Sequence, residues 1–272
     1  MEKKVKMELE KKVELVKEKT VEMAAYTDAG AAEEKNQDRV LLNNETFEEG
    51  YHQKISEIPC MAIVCDGVGG YAFGEKASES IVHSMAAMDI KSLTTQEEIS
   101  EALRKANDTL LQLKTTNPDY VNMLTTIAGL VLQEDKVLVF LAGDSRVYRF
   151  RGSYLTKLTR DHSLAQEMID CGMIGENPEE ALAACSKITR FMGGEGIPAP
   201  QVQEFDLPPQ PGDLYLLCTD GIWSALTLDQ MEDILTAETE LEDMAAELAQ
   251  TAIEQGSLDN LSVCLIRVAK TT

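Results

Sequence analysis

Ile58-Pro59-Cys60-Met61-Ala62-Ile63-Val64-Cys65-Asp66-Gly67-Val68-Gly69-Gly70 is the stretch around which the rest of the chain is organised. An apolar run ends abruptly on an aspartate, and a glycine-rich turn follows. The run is short and bounded by turn residues, so it reads as a buried strand. Glycines after the carboxylate let backbone groups approach an ion or a phosphate without a side chain in the way. The segment from Phe73-Gly74-Glu75-Lys76-Ala77-Ser78 then reads as the start of a helix. Such a strand delivers one carboxylate to a loop-built site. Whether that carboxylate serves an ion or a nucleotide depends on the rest of the chain.

Outward from this strand, Gly74–Met88 and Gln96–Lys114 read as helices, the second with Ile99, Leu103, Ala106 and Leu110 at core spacing. The period then changes. Thr125–Gln133, Lys136–Gly143, Arg146–Arg151 and Tyr154–Leu158 read as four short strands joined by two-residue turns, an antiparallel meander. Toward the N-terminus, Val21 begins strand-like text that reaches the turn Thr27-Asp28-Ala29-Gly30. Asn36-Gln37-Asp38 precedes the apolar Val40-Leu41-Leu42, and residues 43–57 read as a polar loop. Asp161-His162-Ser163 reads as the start of a helix over Leu164–Asp170, with His162 in a structural role there, and 171–200 as a surface insertion. Gly212–Thr219 is a second buried strand ending on Asp220-Gly221; helices near 228–236 and 241–255 and the strand Leu261–Val268, preceded by Asp259-Asn260, complete the chain. No linker divides residues 21–270, which read as one domain behind a charged N-terminal extension, residues 1–20.

Composition narrows the classes. A formal net charge of −22, from 47 acidic against 25 basic side chains, argues against non-specific nucleic-acid or anionic-membrane binding. No apolar run reaches the length of a membrane span and the first residues are too charged for a signal peptide, so a cytoplasmic protein is expected. The six cysteines are scattered without zinc-ligand spacing and read as reduced core thiols.

Three aspartates share one setting. Asp66 and Asp220 end apolar strands before glycine, and Asp259 directly precedes a strand. Asp144 sits in a tight turn between strands, and Asp38 precedes one. Taken singly, each reads as an ordinary turn or strand-end residue. Gathered by folding, they supply the oxygen ligands that magnesium and manganese take.

In order along the chain, Thr27-Asp28-Ala29-Gly30 with Asn36-Gln37-Asp38, Asp66-Gly67-Val68-Gly69-Gly70 with Gly74-Glu75, Thr125-Thr126, Gly143-Asp144-Ser145-Arg146, Thr159-Arg160-Asp161-His162-Ser163, Cys218-Thr219-Asp220-Gly221 and Asp259-Asn260 resemble the motifs of the type 2C, metal-dependent Ser/Thr protein phosphatases of bacterial type. The resemblance spans about residues 21–268. It implies an α+β fold, a four-layer αββα sandwich of two stacked antiparallel sheets flanked by helices, with a flap insertion near residues 164–197. It implies two or three Mn2+ or Mg2+ per chain. Asp66 would bridge two of them, and the carbonyl of Gly67 would bind the second. Asp220 and Asp259 would complete the first, and Asp144 with Asp220 would hold a third. Asp38 would act beside the metals as a catalytic residue. The implied reaction is hydrolysis of phosphoserine and phosphothreonine by metal-activated water, the implied partners phosphorylated proteins and a Ser/Thr kinase.

The chain departs from the family's pattern at three positions. Gln37 replaces the usual acidic residue. Val68 stands where animal members carry histidine and bacterial ones usually methionine. Glu33 occupies the usual place of a phosphate-gripping arginine, leaving Lys35 as the only nearby cation, so Glu33 and Lys35 are the candidate substrate-binding residues. One rival reading uses Gly67-Val68-Gly69-Gly70-Tyr71-Ala72 with Asp89 as a dinucleotide fingerprint. It needs alternating strands and helices, which the four strands over 125–158 oppose. A non-catalytic phosphoprotein-binding module on the same fold is the other alternative.

Overall fold

In the computed structural model, described for residues 20–68, 73–174, 187–194, 196, 199–237 and 239–269, the chain forms two stacked antiparallel sheets. The N-terminal extension as far as residue 19, the glycine-rich turn over 69–72 and residues 175–186, 195 and 197 of the expected flap lie outside the described residues. The strands are β1 Thr20–Asp28, β2 Arg39–Leu42, β3 Glu45–Phe47, β4 Gly50–Glu57, β5 Cys60–Cys65, β6 Ile127–Leu132, β7 Val137–Ala142, β8 Arg146–Arg151, β9 Tyr154–Lys157, β10 Gln201–Phe205, β11 Leu214–Cys218 and β12 Leu261–Val268. One sheet runs β4-β1-β12-β11-β8-β9 and the other β10-β7-β6-β5-β2-β3. The helices are α1 Gly74–Ala86, α2 Gln96–Thr116, α3 Leu164–Asp170, α4 Asp220–Trp223, α5 Leu228–Thr236 and α6 Leu241–Glu254.

The layers follow from side-chain alternation. Every residue of β5 is buried because both of its faces are covered. Cys60, Ala62 and Val64 point into the core between the sheets, while Met61, Ile63 and Cys65 pack under α1 and α2. On the other sheet, α4, α5 and α6 cover Tyr148, Leu216 and Leu265. Helix starts follow local chemistry. Thr95 and Glu98 form a capping box at α2, Thr227 and Gln230 do the same at α5, and Ser163 caps α3 through the amide of Gln166. None of the described helices is long and apolar enough to cross a membrane.

Three expectations need correction. The four strands over 125–158 are not one meander. β6 and β7 pair in one sheet and β8 and β9 in the other, and Asp144-Ser145 is the crossing between them. Gly143 makes the crossing possible, at φ +118° with its α-carbon so close to Thr126 that a Cβ would lie 2.6 Å from that side chain. The polar loop expected over 43–57 instead contains β3 and the edge strand β4, which pairs along β1 from Thr20↔Glu57 to Thr27↔Gly50. Its polar alternation suits an edge that faces solvent on one side. The cysteines are not all core thiols: Cys60, Cys65, Cys218 and Cys264 are buried and free, Cys171 is exposed, and Cys185 lies outside the described residues. The all-antiparallel pairing also removes the dinucleotide reading, which requires parallel strands.

Candidate metal centre

Five aspartates meet where strand ends of the two sheets face each other. Asp66 leaves the end of β5, and its backbone is held on both sides by the Thr125-Thr126 pair. The Asp66 amide donates to Thr126 Oγ1 at 3.0 Å, and its carbonyl accepts from Thr125 Oγ1 and from the Thr126 amide, each at 2.8 Å. Thr126 Oγ1 also meets Ser145 Oγ at 2.8 Å, which joins the Asp66 strand to the crossing that carries Asp144. Asp220 leaves the end of β11 as the first residue of α4, and its charge bears directly on the Asp66 carboxyl. Asp259 precedes β12 and is exposed.

Asp38 lies deepest, with 1% exposure. Thr219 Oγ1 donates to its Oδ2 at 2.8 Å, and the same threonine oxygen accepts from the Ser262 amide at 3.1 Å. Ser262 Oγ in turn meets Thr27 Oγ1 at 2.8 Å. These hydroxyls from β1, β12 and the end of β11 form a polar floor under Asp38. The other oxygen, Oδ1, is buried without a hydrogen-bond partner among the described residues. A buried acceptor left in that condition costs free energy comparable to a lost hydrogen bond.

The electrostatics point the same way. Burial, and then the charges of Asp220 and Asp161, push Asp144 up to about 8. Burial pushes Asp38 up to about 7, with Asp220 and Asp259 adding to the rise, although its hydroxyl donors oppose it. Asp220 rises to about 6 through burial and Asp259, and Asp66 rises well above the carboxylate range through burial and four neighbouring carboxylates. Like charges so packed repel unless a cation lies among them. The donor set is all oxygen, which suits a hard divalent ion. Among the described residues, no three His, Cys, Asp or Glu side chains close into a ready-made ion cage. The five aspartates bear on one another electrostatically without closing round a single point, and magnesium and manganese complete their coordination with several waters. The residues fit such ions.

Gly67 is fixed between the two halves of the cleft. Its amide donates to the Gln37 carbonyl at 3.2 Å, and a Cβ there would lie 2.5 Å from the Gly74 backbone. Ser78 on α1 donates to the same Gln37 carbonyl at 2.6 Å. The Gln37 side-chain oxygen is buried against Gly74 and has no hydrogen-bond partner among the described residues. Asn260 ties the neighbouring loop down: its Nδ2 donates to the carbonyls of Ala29 and Lys35 at 2.9 and 3.1 Å, and its Oδ1 accepts from the Gln37 amide at 2.8 Å. Glu33 and Lys35 lie on the exposed part of that loop, and Lys35, 72% exposed, turns to Glu75 at 3.4 Å. They are therefore rim residues rather than members of the carboxylate ring.

Sequence reading missed the floor of Thr27, Thr219 and Ser262. Alternation offered a signal, since Thr219 directly follows β11 and precedes Asp220, and Ser262 follows Asn260 by two. Only the pairing of β1 with β12 and β12 with β11 shows that they meet.

The protein phosphatase 2C family model matches residues 31–265. The serine/threonine phosphatase stp of Listeria monocytogenes serovar 1/2a is 33% identical over 248 residues, covering 88% of this chain and 93% of the relative. Protein phosphatase PhpP of Streptococcus pneumoniae is 30% identical over 231 residues, covering 82% and 91%. Among solved structures, the Mycobacterium tuberculosis serine/threonine phosphatase PstP/Ppp superposes with a TM-score of 0.78 at 26% identity, over 92% of this chain and all of that one. The PstP catalytic domain in complex with two manganese ions gives 0.77 at 27% identity, over 92% and 100%. With its motifs in family order and its carboxylates gathered between two stacked sheets, the chain belongs to the protein phosphatase 2C family.

Proposed function

We propose that this protein is a metal-dependent protein phosphatase that hydrolyses phosphoserine and phosphothreonine esters of protein substrates. The observation that carries this is the gathering of five aspartates from both sheets at one place, with Asp38 buried beneath the others and one of its oxygens without a hydrogen-bond partner among the described residues. Asp66, the Gly67 carbonyl, Asp220 and Asp259 would hold two Mn2+ or Mg2+ ions, and Asp144 with Asp220 a third. When bound, such ions offset phosphoryl charge and favour deprotonation of water near neutral pH. The chain's own residues supply the rest. Thr219 fixes one oxygen of Asp38, so the other is aimed to accept a proton from the attacking water. The paired threonines 125 and 126 hold Asp66 against recoil as charge shifts across the cleft. Water adds to phosphorus as the ester P–O bond breaks, and the serine or threonine oxygen leaves as the alcohol, taking a proton from solvent water while Asp38 returns its own to solvent. A Ser/Thr protein kinase that places those phosphoryl groups is the expected counterpart in the cell. Hydrolysis of p-nitrophenyl phosphate and of a phosphothreonine peptide, with manganese and with excess chelator, tests the reading. Turnover that requires manganese is expected, and no turnover with manganese, or turnover indifferent to chelator, would overturn it.

The rim sets substrate affinity. Glutamate at position 33 offers a phosphate dianion repulsion, where a guanidinium would offer two parallel charge-assisted hydrogen bonds. Lys35 is a compact point charge already turned to Glu75. A high KM for small phosphoesters is expected, and Glu33→Arg is expected to lower it ~10-fold, the effect of about 1.5 kcal/mol from one charged contact. Lys35→Ala is expected to raise KM modestly. Steady-state kinetics of both variants on one phosphopeptide decide this, and an unchanged or higher KM in Glu33→Arg means that position 33 does not face the phosphate.

A further inference from the structure

Arg146 and Asp161 belong to sequence motifs to which the proposed chemistry assigns no role, yet they form a closely bonded pair beside the carboxylate ring. Arg146 opens β8, two residues after Asp144. Its Nη2 donates to Asp161 Oδ2 at 2.6 Å and its Nε approaches both carboxyl oxygens at 3.0 and 3.2 Å. Its Nη1 donates to Tyr148 Oη at 3.2 Å, and the guanidinium carbon lies 3.4 Å from the centre of the Trp223 ring. Trp223 ends the one-turn helix that Asp220 begins. Asp161, with its side chain only 6% exposed, also accepts from Lys157 at 3.3 Å. The next residue, His162, donates its amide to the Gly143 carbonyl at 2.8 Å and accepts the Gly143 amide on Nδ1 at 3.4 Å. A closed circuit therefore runs from Asp144 through Arg146, Asp161 and His162 to Gly143 and back to Asp144. The Trp223 ring joins Asp220 to that circuit.

We infer that Arg146 is a positioning residue: by bonding Asp161 and lying on Trp223 it fixes Asp144 against Asp220, and so sets the affinity of the divalent cation those two carboxylates share. The inference rests on the assignment of Asp144 and Asp220 as ligands to a common ion. Each carboxylate alone is held mainly through its own backbone, at a crossing between sheets and at the first residue of a single helical turn. The pairing of β8 with β11, Arg146 opposite Cys218, sets the two backbones side by side, and the guanidinium adds a side-chain link across them. It does so with a planar fork on one side and its face on an indole, a combination that an ammonium group does not reproduce. Partners that orient ligands in this way typically govern metal affinity by 10- to 100-fold. The circuit also includes the residues that lead into α3, so the start of the flap is bonded to the crossing that carries Asp144.

The test is calorimetric titration of manganese into the full chain after metal removal, alongside kcat and KM as functions of manganese concentration. Arg146→Met is expected to weaken the weakest manganese-binding event ~10- to 100-fold and leave the tighter events unchanged. Turnover recovers at saturating manganese, with KM for phosphopeptide unaltered. Arg146→Lys is expected to fall with Arg146→Met, Trp223→Leu to copy it, and Trp223→Phe, which keeps an aromatic face, to stay near the parent. Asp144→Ala separates the two levels of the argument. If that variant binds as many manganese ions as the parent, the ligand assignment fails and the inference fails with it. If Asp144→Ala loses one event while Arg146→Met binds all of them with parental affinity, the ligand assignment stands and the positioning role is overturned. Should Arg146→Met fail to fold because Asp161 is left with too little counter-charge, the double variant Arg146→Met/Asp161→Asn removes that charge. Parental manganese affinity in the double variant equally overturns the inference.

Discussion

Replacing Asp66 by asparagine is expected to lower turnover of a phosphopeptide by ~10^3-fold or more at saturating manganese, and Asp220→Asn by a comparable factor, equivalent to ~4 kcal/mol of lost transition-state stabilisation. The change is isosteric, and the carboxyl groups it removes repel their neighbours in the metal-free protein, so the fold has no reason to fail. What is lost is charge at a point the structure fixes closely. Asp66 is pinned by three backbone hydrogen bonds with Thr125 and Thr126, one donated and two accepted, and it stands at the end of a strand buried on both faces. An amide oxygen there still coordinates weakly, but it cannot neutralise two cations, which is what a bridging ligand must do. Asp144, which would touch a single ion, is expected to matter less. The comparison of kcat for the two asparagine variants with the parent on one phosphothreonine peptide decides the matter, and values within ~10-fold of the parent would remove both residues from the bridging role.

Sequence made some of this legible because alternation reports what covers a strand. The run from Cys60 to Cys65 is apolar at every position, which requires cover on both faces, and the cover is found. The same logic located β11, β12 and the helices that flank them. Alternation does not report which strand lies alongside. Val137–Ala142 and Arg146–Arg151 are separated by three residues and look like neighbours, yet they sit in different sheets. That single departure from the expected meander is what carries Asp144 into the ring. Edge strands were hidden for a related reason. The pairing of Gly50–Glu57 with β1 uses backbone groups common to every residue, while its side chains look like those of a loop. The site was legible as a set of aspartates at strand ends, and only the family's motif order joined them. The meeting of the hydroxyls beneath Asp38 was not legible, since Thr27, Thr219 and Ser262 become neighbours through strand register alone.

The metal-free protein is expected to lose stability as pH rises from about 5.5 to 8, and manganese is expected to abolish most of that loss. Asp220, Asp38 and Asp144 are pushed up to about 6, 7 and 8, and Asp66 is also raised well above its ordinary range, all above the ~3.9 of an unfolded aspartate. Over this window the folded chain holds protons that the unfolded chain has already released. Stability therefore falls with rising pH, by about 1.4 kcal/mol per pH unit for each proton so retained. For a chain of this size each kcal/mol corresponds to roughly 2–4 °C, so a drop in Tm of at least ~5 °C across the window is expected without metal. Manganese binds the ionised, folded ring and is expected to raise Tm far more at pH 8 than at pH 5.5. The general repulsion of a chain with net charge −22 acts in the same direction, so the ring's part must be isolated. Asp66→Asn does this, because it removes one charge of many from the whole protein but relieves the most crowded of the ring's carboxylates. Metal-free Asp66→Asn is expected to melt higher than the metal-free parent at pH 8, to match it near pH 5.5, and to respond less to manganese. Thermal melts of parent and variant at both pH values, with chelator and with manganese, provide the measurement. A parent Tm that is flat or rising with pH, or a variant that melts no higher than the parent at pH 8, would mean that the carboxylates do not share the buried, mutually repelling arrangement described for this ring.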